Sequence, residues 1–130
     1  MSVKTIEEYT STLDEKAKLN LENFIKFMES SYPNIRPKIS FSMPMWLKGT
    51  RMNEGYIAIS HSKNYFSIHF SDEETVNHLS DITGCKHGKR CTNISYEDTS
   101  SFDTAKETVR QYLKKCQRLN LRHFLNCLVN

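Results

Sequence analysis

Between Lys38 and Phe70 the chain reads KISFSMPMWL, then YIAISH, then YFSIHF. Apolar residues tend to fall at every second position, the period of a half-buried strand, because successive side chains of an extended chain point to opposite faces. In the first stretch Ile39, Phe41 and Met43 alternate with Ser40 and Ser42, which predicts one strand from Lys38 to Leu47. Pro44 has no N–H to give a ladder, so it belongs at an edge, a bulge or a break of that strand. The stretches Tyr56–His61 and Tyr65–Phe70 are separated only by Ser62-Lys63-Asn64, short enough for a hairpin.

Helical patterns flank this strand-rich centre. Thr12-Leu-Asp-Glu15 reads as a capping box. After it Ala17, Leu21, Phe24, Ile25 and Met28 recur with helical spacing until Pro33 forbids continuation. A shorter turn around Ile6–Tyr9 precedes it. Ser71-Asp-Glu-Glu74 reads as a second box, opening a helix through Leu79 and Ile82 that Gly84 ends. A short strand near Thr92–Tyr96 follows, then a polar linker, Glu97–Ser101. The last helix is expected from about Asp103, with Ala105, Val109, Tyr112, Leu113 and Cys116 inward. The order α–β–β–β–α–β–α with hairpin-length loops specifies an α+β fold, an antiparallel sheet packed against N-terminal and C-terminal helices. The expected division is one domain over residues 1–117 and an amphipathic helical extension over 118–130.

At 130 residues the chain suits one domain with a real core. No run reaches the ~18–20 apolar residues of a membrane span, and the N-terminal segment has no apolar h-region. A cytoplasmic location is therefore expected, with Cys85, Cys91, Cys116 and Cys127 as free thiols or ligands and not disulfides. The net charge of +3 is uneven: residues 1–84 carry 9 basic and 11 acidic side chains, residues 85–130 carry 9 and 4.

The segment GCKHGKRC brings Cys85, His87 and Cys91 within seven residues, with Lys86, Lys89 and Arg90 among them. Zinc sites use four tetrahedral ligands, usually as two close pairs. This segment supplies three, with no CxxC elsewhere, and its cations oppose a metal ion. Iron or zinc at Cys85, His87 and Cys91 is the alternative reading; a basic loop with incidental thiols is the first. Cationic neighbours lower a thiol pKa, but no base or oxyanion site accompanies these cysteines as a motif. The triplet Asp72-Glu73-Glu74 fits the first turn of a helix, where acids complement the dipole. No phosphate-binding glycine motif, HExxH or G-x-S-x-G occurs. Lys106, Arg110, Lys114, Arg118 and Arg122 make a broad basic face on the last helix, read as its solvated side; nucleic acid is not the expected partner. In the tail Leu121, Phe124, Leu125 and Leu128 form an apolar stripe that either folds back or pairs with a second copy of the chain.

The segment Ile39-Ser-Phe-Ser-Met-Pro-Met-Trp46 after an amphipathic helix resembles the YdhG-like family of small bacterial proteins, described as a domain of unknown function or as frataxin-like iron chaperones. The hairpin GYIAISHSKNYFSIHF and the loop GKRCTNISYED, with Lys89 at the family lysine, agree with it, and the resemblance spans residues 6–117. It implies an α+β domain with an antiparallel sheet. The iron-chaperone description implies a carboxylate-rich surface. Glu7, Glu8, Asp14, Glu15, Glu22 and Glu29 do lie in the N-terminal helical region, but Lys16, Lys18 and Lys26 are interspersed, so no iron ligand is carried over. The Cys-Lys-His insertion before Gly88 and the tail after Gln117 depart from the pattern. At the level of the family, a ligand site is expected where Met43, Pro44 and Trp46 meet the hairpin and Lys89; the bland reading has Trp46 and the methionines filling core. The expectation is thus a small non-enzymatic binding module, with no cofactor required, taking a small ligand or protein partner near Met43–Trp46 and Lys89.

Overall fold

The computed structural model describes residues 4–49 and 51–129, with side chains as far as Lys114. Two N-terminal helices, α1 (Ile6–Ser11) and α2 (Glu15–Ser31), lead into strands β1 (Pro37–Ser40), β2 (Met43–Leu47), β3 (Tyr56–His61) and β4 (Tyr65–Phe70). Helix α3 (Glu73–Thr83), strand β5 (Cys91–Ser95) and the long helix α4 (Thr99–Val129) complete it, with a 3-10 turn at Met52–Glu54. The sheet is antiparallel throughout in the order β1-β2-β3-β4-β5. This is the α+β arrangement expected from the sequence.

Three local expectations change. The Lys38–Leu47 stretch is two strands, not one. Phe41 and Ser42 take positive φ, 52° and 61°, and turn the chain so that Ser40 faces Met43 and Ile39 faces Pro44. Positive φ at both central residues is the geometry of a two-residue hairpin turn, usually built with Asn-Gly. With Phe-Ser there, the turn has no signature in the sequence. Pro44 pairs with β1 just before the β2–β3 ladder begins at Met45, so its missing N–H is not needed there.

The two capping boxes start their helices elsewhere. Asp14, not Thr12, caps α2, accepting from the Ala17 amide at 3.1 Å, while the Thr12 hydroxyl closes α1 by donating to the Tyr9 carbonyl. Asp72, not Ser71, caps α3 through the Thr75 amide, while the Ser71 hydroxyl bonds that of Tyr112. In both cases a carboxylate nearer the first turn displaces a hydroxyl, as acids suit the positive end of the helix dipole. Gly84 ends α3 with φ 74°, the left-handed conformation that glycine takes without strain. Helix α4 begins four residues before Asp103, because Asp98 caps it: Oδ1 accepts from the Ser101 amide and Oδ2 from its hydroxyl.

Antiparallel register sorts the sheet into two faces. Trp46, Ile57, Phe70, Ile59, Ile68, Phe66 and Ile94 share the one that the helices cover, and they form the core with Leu21, Phe24, Met28, Val76, Leu79, Ala105 and Val109. Trp46 is 2% exposed and meets the Phe24 ring edge-on at 5.2 Å.

Candidate functional site

The residues expected from the sequence to form a site are not brought together. Trp46 and Pro44 are buried on β2, and Met43 packs against the core. Lys89 is exposed in the turn before β5, three strands away at the other side of the sheet, where it faces Glu73 at 3.6 Å.

The cysteine loop has a structural use. Gly88 donates to the Cys91 carbonyl, Asn93 donates to that of Lys86, and His87 bridges Thr92. Residues 86–88 thus pair along the outer edge of β5, with Lys89 and Arg90 at the turn. Unpaired sheet edges recruit other chains, and this hairpin covers one. Its three candidate ligands diverge. Cys85 directs its Sγ to the Ser101 hydroxyl at 3.7 Å, and the His87 Nδ1 lies 2.9 Å from the Gly88 carbonyl. The Cys91 sulfur lies beneath Gly88, where an added Cβ would sit 3.2 Å from it. Among the described residues no group of three or more His, Cys, Asp or Glu side chains could hold a metal ion. The tail residues Leu121, Phe124, Leu125 and Leu128 lie outside the described side chains, as do Arg118 and Arg122.

Residues that the sequence did not single out do converge. His61, at the end of β3, is held from both sides: the Tyr9 hydroxyl lies 2.8 Å from Nδ1, and Asn20 Oδ1 lies 2.9 Å from Nε2. A carbonyl oxygen only accepts, so the ring proton sits on Nε2, and Nδ1 accepts from Tyr9. Burial lowers the His61 pKa to about 4, against a small opposing effect of Asp14, so the ring is neutral at pH 7. Tyr9 is pushed up to about 12 by burial and by Tyr96. Tyr96 lies parallel to the His61 ring at 6.3 Å, donates to the Ser62 carbonyl at 2.6 Å, and is raised to about 12, mainly by burial and then by Asp14. An isolated histidine at a strand end carries no periodic or motif signal. Only the fold, by laying α1 and α2 across the sheet, reveals the network.

Beside this network a cavity of about 290 Å³ opens between α2 and the start of α4. Leu19, Asn20 and Asn23 line it from α2, and Tyr96 and Phe102 from the opposite wall. Leu19 is 60% exposed, large for an apolar side chain unless something covers it. Lys16 and Glu97 join across the rim at 2.6 Å, and each charge holds the other: the lysine is raised and the glutamate lowered, mainly by this hydrogen bond. The result is an apolar-walled groove with an amide at its floor and one ion pair at its mouth. Small-ligand sites commonly combine apolar walls with a few fixed polar groups.

No family model matches the chain, and no curated protein matches it. Among solved structures it is similar to a DUF1801 family protein, YdhG, from Bacillus subtilis. The two are 21% identical, with a TM-score of 0.62 over 79% of this chain and 86% of that one. The chain therefore has the fold of this DUF1801 protein, as its Met-Pro segment, central hairpin and glycine–lysine loop led one to expect.

Proposed function

We propose that the chain is a non-enzymatic binding module whose ligand site is the groove between α2 and the start of α4. One observation carries this reading: an open, largely apolar cavity of about 290 Å³ sits directly on a fully hydrogen-bonded neutral network, Tyr9–His61–Asn20. A floor of that kind is rigid and already satisfied, which suits recognition better than proton transfer. Both His61 nitrogens are engaged, and its low pKa makes it a poor base at neutral pH. The groove suits a small, mainly apolar ring with a polar substituent that meets the amides of Asn20 and Asn23.

A screen of monocyclic aromatic fragments against the ¹⁵N-labelled protein tests this. Amide shifts are expected to cluster on Leu19, Asn20, Asn23, Tyr96 and Phe102, and Asn23→Trp, which fills the groove from an exposed position, should abolish them. Hits that shift other surfaces, or that survive Asn23→Trp, would refute the assignment.

A further inference from the structure

The charges at the mouth of the groove limit which rings it can take. Lys16 on α2 and Glu97 just before α4 line the cavity together with Leu19, Tyr96 and Phe102. Their side chains are 66% and 65% exposed, so both charges face whatever enters. Neither charge is saturated by the other. The Lys16 ammonium donates one of its three N–H groups to Glu97 Oε1 and makes no other hydrogen bond among the described residues. The Glu97 carboxylate also accepts from the Ser95 hydroxyl at 2.9 Å, which fixes it at the end of β5, and a carboxylate has about four acceptor positions. Spare donors and spare acceptors therefore lie side by side at the rim.

A ligand with a single charge is poorly matched to such a rim. A carboxylate brought to Lys16 lies beside Glu97, and Asp14 adds a second negative field at the lysine. An ammonium brought to Glu97 lies beside Lys16. Each meets one attraction and at least one like-charge repulsion. A ligand that carries both charges on one carbon avoids this: its carboxylate meets Lys16, its ammonium meets Glu97, and the charges alternate in sign around a ring. That head is the one of a free α-amino acid. Its side chain leaves from the same carbon, toward the apolar walls. Leu19, Tyr96 and Phe102 suit an aromatic side chain, and about 290 Å³, close to the ~300 Å³ lower end of small-molecule sites, gives room for one.

We propose that the groove takes a free aromatic amino acid, with its carboxylate on Lys16, its ammonium on Glu97 and its ring between Leu19, Tyr96 and Phe102. Given that the groove is the ligand site, as proposed above, Lys16 and Glu97 are the residues that select the class of ligand. A residue inside a peptide lacks both charges at that carbon and is rejected. One at either end of a peptide keeps only one of them.

Titration of the ¹⁵N-labelled full chain at low salt with L-phenylalanine, 3-phenylpropionate and 2-phenylethylamine tests this. The two analogues delete the ammonium and the carboxylate in turn. The amides of Leu19, Asn20, Asn23, Tyr96 and Phe102 are expected to report all three ligands. L-Phenylalanine should bind at least ~3-fold more tightly than either analogue, a modest factor because exposed ion pairs are weak. L-Alanine, the same head without a ring, should bind at least ~10-fold more weakly. In Glu97→Gln the order should change, with 3-phenylpropionate equal to or tighter than L-phenylalanine. In Lys16→Met 2-phenylethylamine should take that place, and Lys16→Glu/Glu97→Lys should restore the preference for the zwitterion. Damage to the fold would weaken all ligands together and would not reorder them. Equal affinities for the three ligands, or an order unchanged in both single variants, would overturn the amino-acid assignment and leave the groove as a ligand site. Groove amides silent to all three ligands and to the fragment screen would overturn both.

Discussion

The β1–β2 turn offers the sharpest test of how this fold is assembled. Phe41 and Ser42 both occupy the left-handed region, and the Phe41 side chain is 72% exposed, so little burial compensates. Each non-glycine residue held there costs about 1–2 kcal/mol. Replacing the pair by Asn-Gly, the residues this turn geometry prefers, removes most of that cost. Glycine returns roughly 0.5–1 kcal/mol through the greater freedom of the unfolded chain, and loss of the partly buried phenylalanine ring takes a few tenths more. The net expectation for Phe41→Asn/Ser42→Gly is a gain of about 1 kcal/mol, or some 3–5 °C in Tm for a domain of this size. Thermal unfolding followed by circular dichroism measures it, with Ser42→Gly alone as an intermediate. An unchanged or lower Tm in the double variant would refute the turn geometry, and with it the division of Lys38–Leu47 into two strands.

Protonation of His61 provides a second test. Its folded pKa of about 4 lies below the unfolded value near 6.5, so between these pH values the unfolded chain binds the extra proton. The stabilisation is complete above pH 6.5 and is lost as pH falls toward 4, by up to about 3 kcal/mol. His69, also lowered by burial, acts in the same direction. Urea midpoints across this range should fall steeply for the native chain and less steeply for His61→Gln; equal slopes would place the titration elsewhere. Trp46→Ala should cost about 3–5 kcal/mol, as expected for an aromatic lost from a core, whereas a loss under 1 kcal/mol by denaturant unfolding would make Trp46 a surface wall. Cys85→Ser/Cys91→Ser should leave the zinc and iron content of untagged protein unchanged by plasma mass spectrometry; a stoichiometric fall would reinstate the cysteine loop as a metal site.

Periodic features were legible in the sequence. The bounds of β3 and β4 match the two alternating runs, although burial itself does not alternate: Ile57, Ala58 and Ile59 are all buried, as are Phe66, Ser67 and Ile68. Gly84 and Pro33 marked helix ends for steric reasons that hold in any context. What failed was what depends on competition or on distant parts of the chain. Thr12 and Ser71 had the capping-box spacing, yet neighbouring aspartates won the amides. Phe41-Ser42 gave no hint of a turn, since tertiary pairing of β1 with β2 imposes a backbone that the residues do not favour. The cysteine loop drew attention through residue type, while its contribution is backbone pairing along β5. His61, Tyr9 and Asn20 lie as far as 52 residues apart, and nothing local links them.

The assignment of the groove is tested most directly by intermolecular nuclear Overhauser effects from the most strongly shifted fragment of the screen. Contacts from the bound ring to the Leu19 methyls and to the rings of Tyr96 and Phe102 are predicted, with the Asn20 side-chain amide shifted. Contacts confined to other residues, with these four silent, would contradict a ligand site between α2 and α4.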